Sequence, residues 1–171
     1  QRIALGQRRK HPVLNTAELW RTVAEGKAEP VHAIEAAWLV RAMLQTRDLT
    51  AQFVTETAGV QTPLLLSRTR LALKLSDGTV YEPFAAKPMV QPKPVSDAEA
   101  TAMWLVLRAN VARLRSEYAA AYQDLTAAQA VAPLLAAARF VRGVTQLDQR
   151  MYDKGVETCE GALASQQDAL A

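Results

Sequence analysis

Few side chains in this chain of 171 residues could do chemistry. Its one cysteine, Cys159, excludes an internal disulfide and a zinc site built on several cysteines. The two histidines, His11 and His32, are too few for a histidine-based metal cluster. His32 precedes Glu35 by three residues, a spacing that would suit proton transfer on a helix, but the polar start of a helix accounts for it more simply. We therefore expect no metal ion and no cofactor.

Two basic runs could bind phosphate groups. The first comprises Arg2, Arg8, Arg9 and Lys10, and the second comprises Ser67, Arg68, Thr69 and Arg70. No aromatic residues interleave with the first run, so a solvated basic end is favoured over a nucleic-acid arm. The second run is more typical of an exposed strand end, and the seven glycines are too scattered to form a phosphate-cradling loop. Nucleic acid is not an expected partner.

The residues before position 97 mix helical and strand patterns. Helices are predicted over residues 15–26, opened by the spacing of a capping box, and over residues 30–46. Strands are predicted over residues 50–57, 64–75 and 79–81, with Asp77 and Gly78 as the tight turn between the last two. Prolines at positions 88, 92 and 94 then predict an extended linker over residues 85–96. We assign residues 1–84 to a small domain that mixes helices with an antiparallel sheet.

The residues from position 97 onward predict only helices. Ser96 or Asp97 can cap the first helix, and the four helices run over about residues 97–115, 117–131, 135–149 and 151–164. The predicted fold class is therefore α+β, with a mixed domain followed by an all-α region at 97–171. No apolar run approaches the ~20 residues of a membrane span, so we expect no transmembrane segment.

Two of these helices repeat with a period of 34 residues. The matched pairs are Tyr118 with Tyr152, Ala121 with Gly155, Leu125 with Cys159, and Ala128 with Ala162. Small residues at this spacing let two helices approach closely, with the aromatic filling the gap at the hairpin and Cys159 as a buried structural thiol. The preceding helices match less well, because Trp104, Leu107 and Val111 fit only with one residue inserted ahead of the second helix. Gly143 occupies the small position of the second unit.

The repeat resembles tetratricopeptide hairpins, whose period is also about 34 residues. The preceding part is similar to the core of the transglutaminase-like superfamily, which uses papain-like cysteine chemistry. This likeness rests on EPVHAIEAAWLVRAMLQTRDLTAQFVTE at 29–56, on the strand at 64–75 and on SDGTVYEPF at 76–84. It implies a helix that begins at the nucleophile, a histidine at the head of a strand, and an acid after a hairpin. The succession of these two kinds of domain is a known bacterial pairing.

The positions that this resemblance assigns to catalysis carry other residue types. The nucleophile position falls at His32 or Ala33, the histidine position at Arg70, and the acid position at Glu82. Thiol acyl transfer needs a nucleophile, a base that takes its proton and a group that orients the base. Neither His32 nor Ala33 can form a thiolate. The resemblance therefore implies a pseudoenzyme.

The resemblance to tetratricopeptide hairpins also implies a concave groove, lined by the first helix of each unit. Its residues here would be Ala102, Leu105, Ala109, Ala112, Arg113, Ala137, Phe140, Val144 and Leu147. The set is almost wholly apolar, whereas a groove that grips peptide carboxylates needs cationic and amide donors. We expect the groove to hold an apolar surface and not an acidic C-terminal tail. That surface is either the protein's own first half or linker, or a partner helix.

Together, the two resemblances imply a non-catalytic bacterial scaffold that binds partner proteins, alone or in a membrane-associated complex. Two alternatives stay open. One is an enzyme whose catalytic residues lie outside this chain, for which the start at Gln1 rather than methionine leaves room. The other is a nucleic-acid binder that uses the basic N-terminal arm. The cytoplasm and the periplasm are both open as locations.

Overall fold

The fold is defined by a computed structural model that describes residues 33–56, 71–82, 89 and 91–168. The described residues form five helices and four strands. Their bounds are α1 Ala33–Gln45, β1 Ala51–Glu56, β2 Leu71–Leu75, β3 Val80–Tyr81, β4 Pro92–Pro94, α2 Asp97–Leu114, α3 Tyr118–Val131, α4 Ala136–Asp148 and α5 Tyr152–Asp168. The α+β class predicted from the sequence is confirmed. The helix predicted at 15–26 lies outside the described residues.

The strands form one antiparallel sheet in the order β3-β2-β1-β4. Gly78, at φ +87°, lies in the tight turn before β3, and the Asp77 carboxylate accepts a 2.8 Å hydrogen bond from the Thr79 N–H. The hairpin predicted from Asp77 and Gly78 is thereby confirmed. Phe53 on β1 lies opposite Leu73 on β2, and both side chains are fully buried.

The proline-rich stretch is more than the linker that the sequence predicts. Residues Pro92–Pro94 form β4, which pairs with β1 from Val54 to Glu56. Proline cannot donate a ladder hydrogen bond, so it is tolerated in a strand that pairs on one side only. Val95 then donates a 2.8 Å hydrogen bond to the Phe53 carbonyl and is buried. The predicted linker at 85–96 is corrected accordingly, because its last residues belong to the sheet.

One core joins the sheet to the first helix of the all-helical region. Its buried members are Ile34, Ala37, Phe53, Leu71, Leu73, Val95, Ala100 and Leu107. They come from α1, from β1 and β2, from the segment after β4 and from α2. Trp104 on α2 contacts this core and also the core of the helical region. The two parts predicted from the sequence are therefore joined by a shared interior.

An ion pair fixes the start of α2 to α1. Arg41 donates to both carboxylate oxygens of Asp97, at 2.6 and 2.7 Å, and its guanidinium carbon lies 4.5 Å from the centre of the Phe53 ring. The Arg41 hydrogen bonds lower the pKa of Asp97 below its usual value. Ser96 caps the helix in a capping box with Glu99, as its position in the sequence predicts.

The remaining helices form two hairpins, α2 with α3 and α4 with α5, and α4 also contacts both helices of the first hairpin. Their core is made of small and aliphatic side chains. Its buried members are Ala102, Leu105, Val106, Ala109, Ala112, Ala121, Leu125, Ala128, Ala132, Ala137, Ala138 and Val141. Arg108 on α2 binds the largely buried Asp124 on α3, with 2.7 Å between Nε and Oδ2, and its guanidinium lies 5.0 Å from the centre of the Trp104 ring.

Candidate protein-interaction surface

The structure describes two of the four positions at which the sequence implies a degenerate catalytic triad. Ala33 is the first described residue of α1, and Glu82 directly follows β3. His32 and Arg70 lie outside the described residues. The one cysteine is on α5, in the last hairpin, and not at His32 or Ala33, where the resemblance implies the nucleophile.

Cys159 lies in the contact between α4 and α5. Its Sγ is 3.9 Å from the carbonyl oxygen of Phe140 on α4. Burial raises the pKa of the Cys159 thiol, because a thiolate would lose part of its solvation. A raised pKa keeps the sulfur protonated near neutral pH, whereas a catalytic thiol needs a lowered one. The position therefore suits a packing role.

Glycines set the close approach of α4 to α5. A Cβ added to Gly143 would lie 2.5 Å from the Cys159 Sγ and 3.0 Å from both the Cys159 nitrogen and the Gly155 carbonyl oxygen. A Cβ added to Gly155 would lie 2.6 Å from Cδ2 of Leu147. Protein interiors leave no room for an atom at such distances. The close helix packing that the sequence predicts from these small residues is confirmed.

The first hairpin follows the 34-residue period without the insertion that the sequence analysis introduces. Ala109 and Ala121 lie 34 residues before Gly143 and Gly155, and both alanines are fully buried. Leu107, which the inserted register matched to the repeat, packs against the sheet. The insertion was wrong because α2 has two apolar faces. The apolar residues on the side toward the sheet have the spacing that is expected of the side toward α3.

Five of the nine residues predicted to line the groove are buried. Leu105, Ala109 and Ala112 are buried in the core of the hairpins, and so are Ala102 and Ala137. A peptide cannot reach these side chains while the helices stay packed. In the first unit, the surface predicted to bind a partner is thus covered by the chain's own helices.

The groove residues on α4 are only partly covered. Phe140, Val144 and Leu147 are half-buried. Leu147 is directed toward Gly155 on α5, inside the second hairpin and not toward an open groove.

Arg113, the one cation predicted in the groove, is engaged within the protein. It donates to the Asp148 carboxylate at 2.5 Å and to the Asn110 side-chain oxygen at 3.1 Å. An acidic tail would therefore have to displace Asp148 in order to reach the Arg113 guanidinium. The expectation that such tails do not bind stays a prediction.

An exposed apolar stripe follows one side of α5. It consists of Tyr152, Val156 and Leu163, which are 62%, 48% and 41% exposed, and we call it the α5 flank. Helix geometry places these three residues within about 40° of one another around the axis. The sequence predicts that Tyr152 fills a gap at the hairpin, and its exposure shows that this was wrong. Among the described helices α4 is the main neighbour of α5, and it covers a different side.

The same side of α3 is covered. The residues that lie 34 positions before the α5 flank are Tyr118, Tyr122 and Gln129, and all three are half-buried. The helix α4 follows α3 and lies against it, and at Tyr122 the Arg142 guanidinium of α4 lies over the ring. By the 34-residue period, the α5 flank corresponds to the side of α3 that α4 contacts. No described helix lies over the α5 flank itself.

Val156 and Leu163 are absent from the site that the sequence predicts. Their signal is nevertheless present, since positions 152, 156 and 163 recur at helical spacing. They lie to one side of Gly155 and Ala162, which the 34-residue period assigns to the interior. The α5 helix therefore has a second apolar side, and this side is exposed.

Other candidate sites in the described part of the chain are weaker. A shallow pocket of about 390 Å³ lies beside the turn between α3 and α4, with the exposed Leu134 in its wall. Its one charged lining residue, Glu99, is engaged in the cap of α2. It lacks the converging polar groups of a catalytic site.

Within the same described ranges, no three His, Cys, Asp or Glu side chains are grouped as metal ligands. Nor do the helices there include one with the length and hydropathy needed to cross a membrane. Comparison of the chain with models of protein families, with curated proteins and with solved structures found no match in any of the three. Function must therefore be inferred from the surface of this chain.

Proposed function

We propose that this chain is a non-catalytic protein-interaction module of a bacterial scaffold. Two tetratricopeptide-like hairpins present the binding surface, and a transglutaminase-like domain without catalytic residues supports them through the shared core. The partner is a protein, and the α5 flank is its main contact.

The exposed α5 flank carries this proposal. Three large apolar side chains on one side of a helix are costly to leave in water, since apolar burial contributes about 25 cal/mol per Å². Exposed apolar residues that share one side of a helix form a candidate contact surface. The counterparts of these residues on α3 are half-buried, and Tyr122 among them contacts α4 of the same chain. The flank therefore has the shape and the composition of a helix-contacting surface.

Two observations favour a binding role over catalysis. Neither His32 nor Ala33, the two positions at which the resemblance implies the nucleophile, can form a thiolate. The Cys159 thiol has a raised pKa and lies against Gly143 in a helix contact. An electrophilic probe for active-site thiols is thus expected to leave the chain unlabelled. Strong labelling that is lost in Cys159→Ala would favour the enzyme alternative.

The proposal can be tested by affinity capture with two matched variants. The flank variant carries Tyr152→Ser, Val156→Ser and Leu163→Ser. The control variant replaces three other exposed apolar residues by serine, namely Met43, Leu114 and Leu134. Both sets are exposed, so both variants should keep the fold, which circular dichroism would verify.

From a lysate of the source organism, wild type and the control variant should retain the same proteins, and the flank variant should lose them. Retention of the same proteins by the flank variant would contradict the proposal.

A further inference from the structure

We infer that the α5 flank binds a basic amphipathic helix of a partner protein, seated on α5 much as α4 is seated on α3. This inference rests on the proposed function and adds the chemistry of the partner. It starts from the corresponding side of α3, which α4 of the same chain contacts.

The contact of α4 with α3 combines apolar packing with an arginine at its edge. Arg142 on α4 donates to the Thr126 hydroxyl at 2.8 Å, and its guanidinium carbon lies 5.9 Å from the centre of the Tyr122 ring. The Tyr122 hydroxyl donates in turn to the side-chain oxygen of Gln149, just after α4, at 2.9 Å. A helix with an apolar face and a cationic edge is therefore what fits this side of α3.

Each residue of α5 corresponds to the residue of α3 that lies 34 positions earlier in the sequence. Val156 corresponds to Tyr122, and Glu160 corresponds to Thr126. The apolar contact is kept, while the hydroxyl that meets an arginine on α3 becomes a carboxylate on α5. A cation from an incoming helix would form a charge-assisted hydrogen bond there, which is stronger than one to a neutral hydroxyl.

An acidic edge runs beside the apolar stripe. Asp153, Glu157 and Glu160 are all exposed, and helix geometry places them on the side of the α5 flank that faces away from α4. The acidic edge and the α5 flank together are complementary to an amphipathic helix whose apolar face is bordered by Lys or Arg. Complementary charge of this kind selects the partner and speeds its association.

A second copy of this chain fits the flank less well. In an antiparallel pair of α5 helices, the same edge of each helix would face its counterpart. The rims formed by Asp153, Glu157 and Glu160 would then lie against each other, and like charges across an interface are unfavourable. The charge pattern therefore favours a basic partner over self-association.

The test uses two designed peptides of equal length and helicity. Each carries Leu and Ala on one face, and the rest of the surface is Arg and Lys in the basic peptide and Glu in the acidic one. Fluorescence polarisation would measure their binding to wild type, to the flank variant, to the control variant and to a charge variant with Glu157→Lys and Glu160→Lys. Light scattering would give the mass of each protein.

Wild type should bind the basic peptide at least about tenfold more tightly than the acidic one, a difference of about 1.4 kcal/mol. The flank variant should lose about tenfold in affinity for the basic peptide, and the control variant should stay within about twofold. The charge variant should reverse the preference between the two peptides. Together these results would separate specific binding at the α5 flank from non-specific electrostatic attraction of a basic peptide.

Equal binding of both peptides, or basic-peptide binding unchanged in the flank variant, would overturn the inference. So would a wild-type dimer that the flank variant abolishes, because the occupant would then be a second copy. If lysate proteins are captured through the flank but the basic peptide shows no preference, the proposed function stands and this inference fails. If neither depends on the flank, both fail.

Discussion

Gly143→Ala is the substitution whose effect the structure defines most sharply. The new methyl group would lie 2.5 Å from the Cys159 Sγ and 3.0 Å from the Cys159 nitrogen and the Gly155 carbonyl oxygen. The sulfur can move, but the two backbone atoms can recede only if α4 and α5 separate. Overpacking of a tight contact costs about 1–3 kcal/mol. Alanine regains about 1 kcal/mol of helix propensity, so we expect a net loss of up to about 2 kcal/mol.

Gly161→Ala is the matched control. Gly161 lies inside α5, is exposed, and has nothing within 4 Å of an added Cβ. The same chemical change should therefore stabilise the protein by up to about 1 kcal/mol, through propensity alone. Adding Cys159→Ala to Gly143→Ala should recover part of the loss and not all of it, since the contacts with backbone remain.

Urea unfolding followed by circular dichroism would measure these free energies. In a chain of this size each 1 kcal/mol also moves the melting temperature by about 2–4 °C. The two alanine variants should shift in opposite directions. If Gly143→Ala were as stable as Gly161→Ala, α4 and α5 would not approach as closely as described, and the account of the second hairpin would be refuted.

Three further outcomes are expected. Asp124→Asn should cost about 1.5–3 kcal/mol in urea unfolding, because the amide replaces the carboxylate that accepts from Arg108 across the first hairpin, and a loss below about 0.5 kcal/mol would contradict this. Asp97→Asn should cost only about 0.5–1 kcal/mol, because the carboxylate is largely exposed. Arg41 lowers the pKa of Asp97, so the extra unfolding free energy of wild type over Asp97→Asn should be complete above about pH 4. It should disappear as the pH falls through the lowered pKa. A difference in unfolding free energy that stays constant down to about pH 2 would argue against the ion pair. Residues 97–171 expressed alone should melt broadly and at low temperature, because α2 loses its cover by the sheet, and a sharp transition matching the whole chain would show independent folding.

Elements with strong local signals could be predicted from the sequence. The Asp77-Gly78 turn, the Ser96 cap and the Gly143 contact depend on residues whose roles are largely local, and the structure has each of them in place. The boundaries of the four helices after position 97 differ from the predicted ones by one residue at most, apart from the end of α5.

The features that the sequence did not predict depend on how the helices and strands pack against one another. The sequence predicts a linker at Pro92–Pro94, because no local signal indicates that these residues pair with the edge of β1. The groove register was wrong because α2 is apolar on two faces, and sequence spacing does not distinguish the face that meets the sheet from the face that meets α3. The exposure of Tyr152 likewise follows from the neighbours of α5 and not from the residues of α5.

The central claim is that the α5 flank meets a partner protein, and site-directed photo-crosslinking tests it most directly. A benzophenone amino acid would replace Val156 in the full chain, produced in cells of the source organism, with the same replacement at the similarly exposed Leu114 as control. We expect a discrete crosslinked species, containing this chain and one other protein, at position 156 and not at position 114. Absence of any such species at position 156, or the same species at both positions, would contradict the claim.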